Sequence, residues 1–296
     1  MERWTKVKEL GRGSYGKVFL AKSTIGPIDY VAVKVAPVER SSSLELEKDI
    51  LQHLRGCSEI VQCIGSEMTS VCYYLILEYA GGGTLAELIR KQKKLTESKV
   101  KEYLRMILRG LSCIHRRGFV HADLKPANIL AFPRPNGKMK LKIADFGLSK
   151  RWVVGQDEAA EHSEPRFRGT ARYMSPESII FGKISPPLDI WSLGCIFIEM
   201  ITGSPVWNSC RTYDQLLKKL VNETELPTDV LKKLSKEGRD FLASCLDRDS
   251  KRRWTADMLL KHPYLSEENS CRPEFERELA SLSRSLSYIY TCNYGY

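Results

Sequence analysis

Two periodicities divide the chain. Residues 5–37 read as three strands. Val7–Leu10 leads into a glycine-rich turn, Phe19-Leu20-Ala21 follows it, and Tyr30–Val35 is a β-branched run beyond a Gly26-Pro27 turn. Leu44, Leu51 and Leu54 share a helical face after the Ser41-Ser42-Ser43 start, so Leu44–Leu54 is expected to be a helix. Ile60–Gly65 and Cys72–Glu78 read as two more strands. From Gly81 onward the period changes. Thr84–Gln92 is a short helix, and Val100, Tyr103, Leu104, Ile107, Leu108, Leu111 and Ile114 mark a long amphipathic one over Ser98–His115. Ile190–Ile201 is apolar nearly all round, which predicts a buried central helix. Tyr213–Val221, Lys236–Leu246 and Thr255–Lys261 complete the helical set, and residues 267–296 lose periodicity as a short tail. Strands first and helices afterwards give an α+β chain with its boundary near residue 81.

Composition narrows the class. Of the 296 residues, 43% are hydrophobic, enough for a large core. The longest apolar run, Ile190–Ile201, is about half of what a bilayer requires and contains Ser192, Gly194 and Glu199. Met1–Lys6 has no signal-peptide core, and Glu2 occupies the place a myristoylated glycine would need. No membrane anchor is therefore expected. Nine cysteines without CxxC pairs fit reduced thiols, and hence the cytoplasm or nucleus, better than a disulfide framework or a zinc site. The net charge of +10 comes from Arg90–Lys150, where 16 Lys/Arg face 4 Asp/Glu. These charges follow a helical pattern without RNA-type aromatic motifs, so no nucleic-acid partner is expected. A basic face of this kind attracts nucleotide phosphates or acidic segments of a protein partner.

The candidate chemistry lies between His121 and Gly147. Asp123, Lys125, Asn128 and Asp145 fall within 23 positions, on a strand–turn–strand pattern that can bring them together. A carboxylate that accepts a hydroxyl's proton, beside oxygen ligands for Mg²⁺, is what phosphoryl transfer requires. Upstream, Gly11-Arg12-Gly13-Ser14-Tyr15-Gly16 is followed by a strand, where a dinucleotide-binding unit would open a helix. Its glycines allow a hairpin to lie close over phosphates. Lys34 ends Val31-Ala32-Val33-Lys34.

Asp123-x-Lys125-x-x-Asn128 followed by Asp145-Phe146-Gly147 resembles the catalytic and magnesium loops of protein kinases. The resemblance covers about residues 4–266 in unbroken order and includes Ser175-Pro176-Glu177, Asp189 and Arg253. It implies a two-lobed fold: a small antiparallel β-sheet lobe with one helix over 1–80, and a larger helical lobe over 81–266. It implies ATP and Mg²⁺ as cofactors. Asp123 would act as base and Lys125 would steady the transferring phosphate. Lys34 would neutralise phosphates, with Glu47, rather than Glu45, holding it. Asn128 and Asp145 would hold the metal. Leu10, Gly11, Arg12, Gly13, Ser14 and Gly16 would cover the nucleotide. Val18, Ala32 and Leu130 would sandwich the base, Leu77 would guard the back of the pocket, and the backbone of Glu78 and Ala80 would meet the base edge. Asp189 would brace the backbone around His121, and Glu177 would pair with Arg253.

Lys125 and Thr170 resemble the serine/threonine class. The stretch from Gly169 to Ser178, together with Cys245–Ala256, is similar to plant MEKK-like MAP kinase kinase kinases, which implies MAP kinase kinases as protein substrates. The alternative is a nucleotide-binding scaffold without turnover. Two positions depart from the family pattern: Ala122 replaces the usual Arg before the catalytic Asp, and Ser175 replaces the Ala of Ala-Pro-Glu. Without that Arg there is less electrostatic need for a phosphate on the loop between Gly147 and Gly169, which offers Ser149 and Ser163 as acceptors.

Overall fold

The structure is a computed structural model that describes residues 4–13, 16–24, 29–153, 170–208, 210, 212–222 and 231–266. Met1–Tyr264 form one compact unit, and the expected tail over 267–296 lies outside the described residues.

Five strands build an antiparallel sheet: β1 (Trp4–Gly13), β2 (Gly16–Ser23), β3 (Tyr30–Pro37), β4 (Cys63–Met68) and β5 (Cys72–Glu78), in the order β1-β2-β3-β5-β4. Side chains alternate between the two faces. Ala21, Val31, Val33 and Ile76 form an apolar cluster on the outer face, closed by Trp4, Val35 and Tyr74. The register pairs Val18 with Lys34 and Ala32 with Leu77, so these four share the inner face. A slip of one residue would turn Lys34 to the outside. Helix α1 (Ser42–His53) connects β3 to β4 and buries Leu44, Glu47, Ile50 and Leu51. A carboxylate on that otherwise apolar stripe is the anomaly in this part of the chain.

The helical part begins with α2 (Leu85–Gln92), whose first turn is closed by a capping box between Thr84 and Glu87. Helix α3 (Glu97–Arg116) starts on a Thr96 cap and buries the stripe expected from the sequence. Helix α5 (Pro186–Thr202) buries nearly every side chain from Leu188 to Ile201. It ends at Gly203 with φ +77, where a Cβ would stand 1.5 Å from the Lys93 carbonyl, so only glycine fits. Around it lie α4 (Pro176–Phe181), α6 (Tyr213–Asn222), α7 (Lys236–Cys245) and α8 (Ala256–Leu260). Two small hairpin-like pairs position the catalytic segment. Strand β6 (Phe119–Val120) pairs with β9 (Lys150–Arg151), and β7 (Ile129–Pro133) pairs with β8 (Met139–Ile143).

Two expectations need correction. Ile60 makes an isolated bridge to Ile143, and β4 begins only at Cys63. The expectation of reduced thiols throughout fails at Cys57 and Cys113, which are joined with their Cα atoms 6.6 Å apart. Gly110 eases the approach of this turn and β8 to α3: a Cβ there would meet the Ile143 side chain at 2.8 Å and the Glu59 carbonyl at 3.2 Å. Nothing in the local sequence announces a contact between residues 56 positions apart.

Candidate active site

Lys34 projects from the inner face of β3 between two carboxylates. Its Nζ is 2.8 and 2.7 Å from the two oxygens of Glu47 on α1, and 2.8 Å from Oδ1 of Asp145. Burial works against the Lys34 cation, yet the two carboxylates more than offset it and hold its pKa above the usual lysine range. Burial also pushes the Glu47 carboxyl upward, against the pull of Lys34 through the two short contacts. For Asp145, burial is overridden by Lys34 and the pKa falls below the ordinary value. The exposures differ: the Glu47 side chain is fully buried, whereas that of Asp145 is 41% exposed.

The second cluster hangs on Asp123. Its Oδ2 accepts from Lys125 Nζ at 2.7 Å and from Asn128 Nδ2 at 3.1 Å. Its Oδ1 accepts from the Thr170 N–H and from the Thr170 hydroxyl, both at 3.0 Å. Lys125 also donates to the Thr170 hydroxyl at 2.8 Å. Residues from two distant stretches are thus tied to one carboxylate.

Beneath this cluster the backbone is clamped. The carboxylate of Asp189, at the start of α5, accepts from the N–H of His121 at 2.8 Å and of Ala122 at 3.0 Å. Ala122 has φ +63, a left-handed conformation costing an L-residue roughly 1 kcal/mol, and the Asp189 bonds hold it there. His121 Nε2 donates to the Ala144 carbonyl at 3.0 Å, which leaves Nδ1 to accept from the Asp123 N–H at 3.3 Å. Glu177 and Arg253 form a buried two-point ion pair at 2.6 and 3.1 Å. Ser149, expected as a phosphate acceptor, is instead buried and donates to the His121 carbonyl at 3.0 Å. A phosphate there would have to break that contact. Ser163 lies outside the described residues.

The expected nucleotide-covering residues lie along β1 and β2. Gly11 pairs with Val18 and Gly13 with Gly16, with Leu10 and Arg12 on the same strand as Gly11. Arg12 turns outward, its guanidinium 3.7 Å from Glu9. Ser14 lies outside the described residues. A Cβ at Gly16 would stand 2.1 Å from the Val35 carbonyl of β3, so β2 can begin beside β3 only with glycine there. At Gly11 a Cβ would meet nothing within 4 Å. Leu77 is buried at the end of β5 and Leu130 is half-buried on β7. The Glu78 N–H donates to the Gln62 carbonyl at 3.1 Å, so the group Glu78 can offer a base is its carbonyl. Ala80 follows, half-buried, in the connection to α2.

Sequence reasoning missed Lys142. Its Nζ lies 2.6 and 2.7 Å from the two oxygens of the Glu78 carboxylate, tying β8 to the end of β5. It also missed Tyr173, whose hydroxyl donates to the buried Glu199 at 2.6 Å. Lys142, next to the buried Ile143 on a strand with alternating faces, offered a weak signal. Tyr173 offered none.

The donor set suits magnesium. Asp145 gives Oδ1 to Lys34 and has a second oxygen, while Asn128 uses its NH₂ on Asp123, at 2.9 Å to the carbonyl and 3.1 Å to the carboxylate. One carboxylate and one amide oxygen are what Mg²⁺ takes from a protein when phosphates supply further ligands.

Comparison with known proteins agrees with this geometry. A sequence profile described as the protein kinase domain matches residues 4–265. Mitogen-activated protein kinase kinase kinase 20 of Arabidopsis thaliana is 36% identical over 274 residues, 89% of this chain and 78% of the relative. Mitogen-activated protein kinase kinase kinase 17 of the same plant is 36% identical over 279 residues, 91% of this chain and 71% of the relative. Mitogen-activated protein kinase kinase kinase A of Dictyostelium discoideum is 32% identical over 274 residues, covering 89% of this chain but 28% of its own longer sequence. The chain belongs to the protein kinase family, and it is a serine/threonine kinase.

Proposed function

We propose that this kinase transfers the γ-phosphate of Mg-ATP to serine or threonine hydroxyls of MAP kinase kinases, working in the cytoplasm or nucleus as a MAP kinase kinase kinase. The observation that carries the reading is the Thr170 hydroxyl, which donates to Asp123 Oδ1 at 3.0 Å. The same carboxylate can accept the hydroxyl of an incoming serine or threonine.

When bound, Mg-ATP supplies the phosphoryl group and the metal charge that offsets its oxygens. The chain's own groups do the positioning. Lys34, steadied by Glu47, presents one positive charge to the phosphates. Asp145 and Asn128 present oxygens to the metal. Asp123 orients the substrate hydroxyl and takes its proton, a contribution of about 10²–10⁴ in rate. Lys125 already touches both Asp123 and Thr170, so its ammonium stands where charge develops during transfer. The inner-face residues Val18 and Ala32, with Leu130 below, offer apolar surface to the base. The target class rests on the printed names of the relatives.

The test is a panel of purified MAP kinase kinases incubated with the chain and labelled ATP, followed by phosphoamino-acid analysis. Phosphoserine or phosphothreonine on at least one panel member is expected. Label on a generic substrate but on no MAP kinase kinase would remove the target assignment, and mainly phosphotyrosine would remove the hydroxyl assignment.

A further inference from the structure

Cys57 and Cys113 lie at a junction. Cys57 is in the turn after α1, the helix that carries Glu47, and Cys113 is on α3, one helical turn beyond Gly110. Their Cα separation of 6.6 Å is within the ~4.4–6.8 Å that a disulfide spans. The segment just after Cys57 is fastened to β8, which leads to Asp145: the Ile143 N–H donates to the Glu59 carbonyl at 2.8 Å, and the Val61 N–H donates to the Ile143 carbonyl at 2.9 Å. The pair therefore bridges the end of α1 to the long helix that precedes the catalytic loop.

The surroundings favour reaction. Arg117, one turn past Cys113, places Nη1 against both sulfurs, 3.2 Å from that of Cys113. A guanidinium at this range favours thiolate over thiol, and the thiolate is the reactive form. Cys113 is half-buried and Cys57 is 8% exposed, so a small oxidant can approach from the α3 side. Cys195 and Cys245 make a contrast: both are fully enclosed, and burial pushes their thiols up, that of Cys195 to about 12.

We propose that Cys57 and Cys113 form a reversible thiol–disulfide site, closed by a peroxide and opened by a thiol reductant, that clamps the turn after α1 to α3. In the first step the Cys113 thiolate attacks a peroxide oxygen. The O–O bond breaks, Cys113 becomes a sulfenic acid, and the other oxygen leaves as water once protonated. In the second step the Cys57 sulfur attacks the sulfenic sulfur, the S–S bond forms, and a second water leaves. Two thiols and one hydrogen peroxide thus give one disulfide and two waters. A dithiol reductant reverses this by exchange. Where the surroundings are reducing, such a bond is transient and reports oxidant. Closure encloses β4, β5 and α2 in one covalent loop, which lowers the entropy of the unfolded chain. It also fixes the end of α1 in the arrangement where Glu47 meets Lys34.

The experiment uses the full chain, treated with hydrogen peroxide or with dithiothreitol and then alkylated. Non-reducing peptide mapping should yield a Cys57–Cys113 cross-linked peptide that dithiothreitol removes. The oxidised form should melt at least about 5 °C above the reduced form. Cys113→Ser and Cys57→Ser should each lose both the cross-link and the shift while keeping wild-type turnover under dithiothreitol. Cys113→Ser is the safer variant because that position is the less buried of the two. Arg117→Ala should form the same cross-link roughly tenfold more slowly. Cross-linking of other cysteines, alkylation of both sulfurs after peroxide, or a cross-link without a melting shift would each overturn the proposal.

Discussion

Carboxylates hold both the cleft and the floor beneath it, but they hold different things. In the cleft, Glu47 and Asp145 grip one ammonium, Lys34, and Asp145 remains 41% exposed. In the floor, Asp189 grips two backbone N–H groups and Glu177 a guanidinium, with side chains at most 8% exposed. An ammonium is a compact charge that can be shared with an arriving phosphate. The Arg253 guanidinium and the Asp189 clamp are enclosed, and their further bonds, to the Asp247 and Pro187 carbonyls and to His115, all stay within the chain. The same chemical group therefore builds an exchangeable site above and a fixed one below. What separates them is the partner's geometry and its access to solvent.

The strongest attack on this contrast is in the cleft. Asp123→Asn and Asp145→Asn should each lower turnover by about 10²–10⁴, or roughly 2.7–5.5 kcal/mol of barrier, with melting within a few degrees of wild type. Assays alongside thermal melts decide it, and a large fall in melting temperature would make the cleft carboxylates structural after all. In the floor the reverse holds. Arg253→Met strands the buried Glu177 and should cost about 3–5 kcal/mol of stability, read as a melting drop on the order of 10 °C. An unchanged melt with lost activity would merge the two regions.

Lys34→Met tests both sides at once. Turnover should collapse through lost phosphate positioning. The variant also leaves Glu47 buried without its cation, so burial raises its folded pKa further above the unfolded one. A carboxyl raised on folding binds its proton more tightly in the native state, so the variant should gain stability relative to wild type as pH falls from 7 toward 5 and lose it as pH rises. Denaturant melts across that window check the sign, and a flat difference would show Glu47 finding another partner. The mildest effect concerns Ala122. With no guanidinium beside Asp123 to balance, phosphatase treatment should reduce turnover less than about tenfold. A hundredfold loss, roughly 2.7 kcal/mol, would show that loop phosphorylation is required.

Much of this was legible in the sequence because it repeats locally. The β-branched run Tyr30–Val35 and the helical stripe of α3 both formed as read, because each is driven by burial. The clustering of Asp123, Asn128 and Asp145 was legible because a strand–turn–strand carries them. Glu47 was legible over Glu45 only through the resemblance to protein kinases, and its burial on the apolar stripe of α1 emerged with the fold. What stayed hidden depends on contacts between distant stretches: the β6–β9 pair, the grip of Lys142 on Glu78, and Cys57 against Cys113. Two-residue strands have no period to detect, and an ion pair across 64 residues has no local signature. Ser149 misled for a related reason. Its hydroxyl reads as an exposed acceptor until the His121 carbonyl is placed above it.

The clamp on His121 and Ala122 has a spectroscopic consequence. Both amide protons point at the oxygens of one fully buried side chain, so each is held in a short hydrogen bond away from water. In an amide-proton spectrum they should resonate far downfield of their neighbours. In deuterated solvent they should persist among the last to exchange, released only when α5 itself comes apart. Two backbone signals thus act as built-in gauges of whether the floor of this kinase is intact, readable without substrate, nucleotide or label.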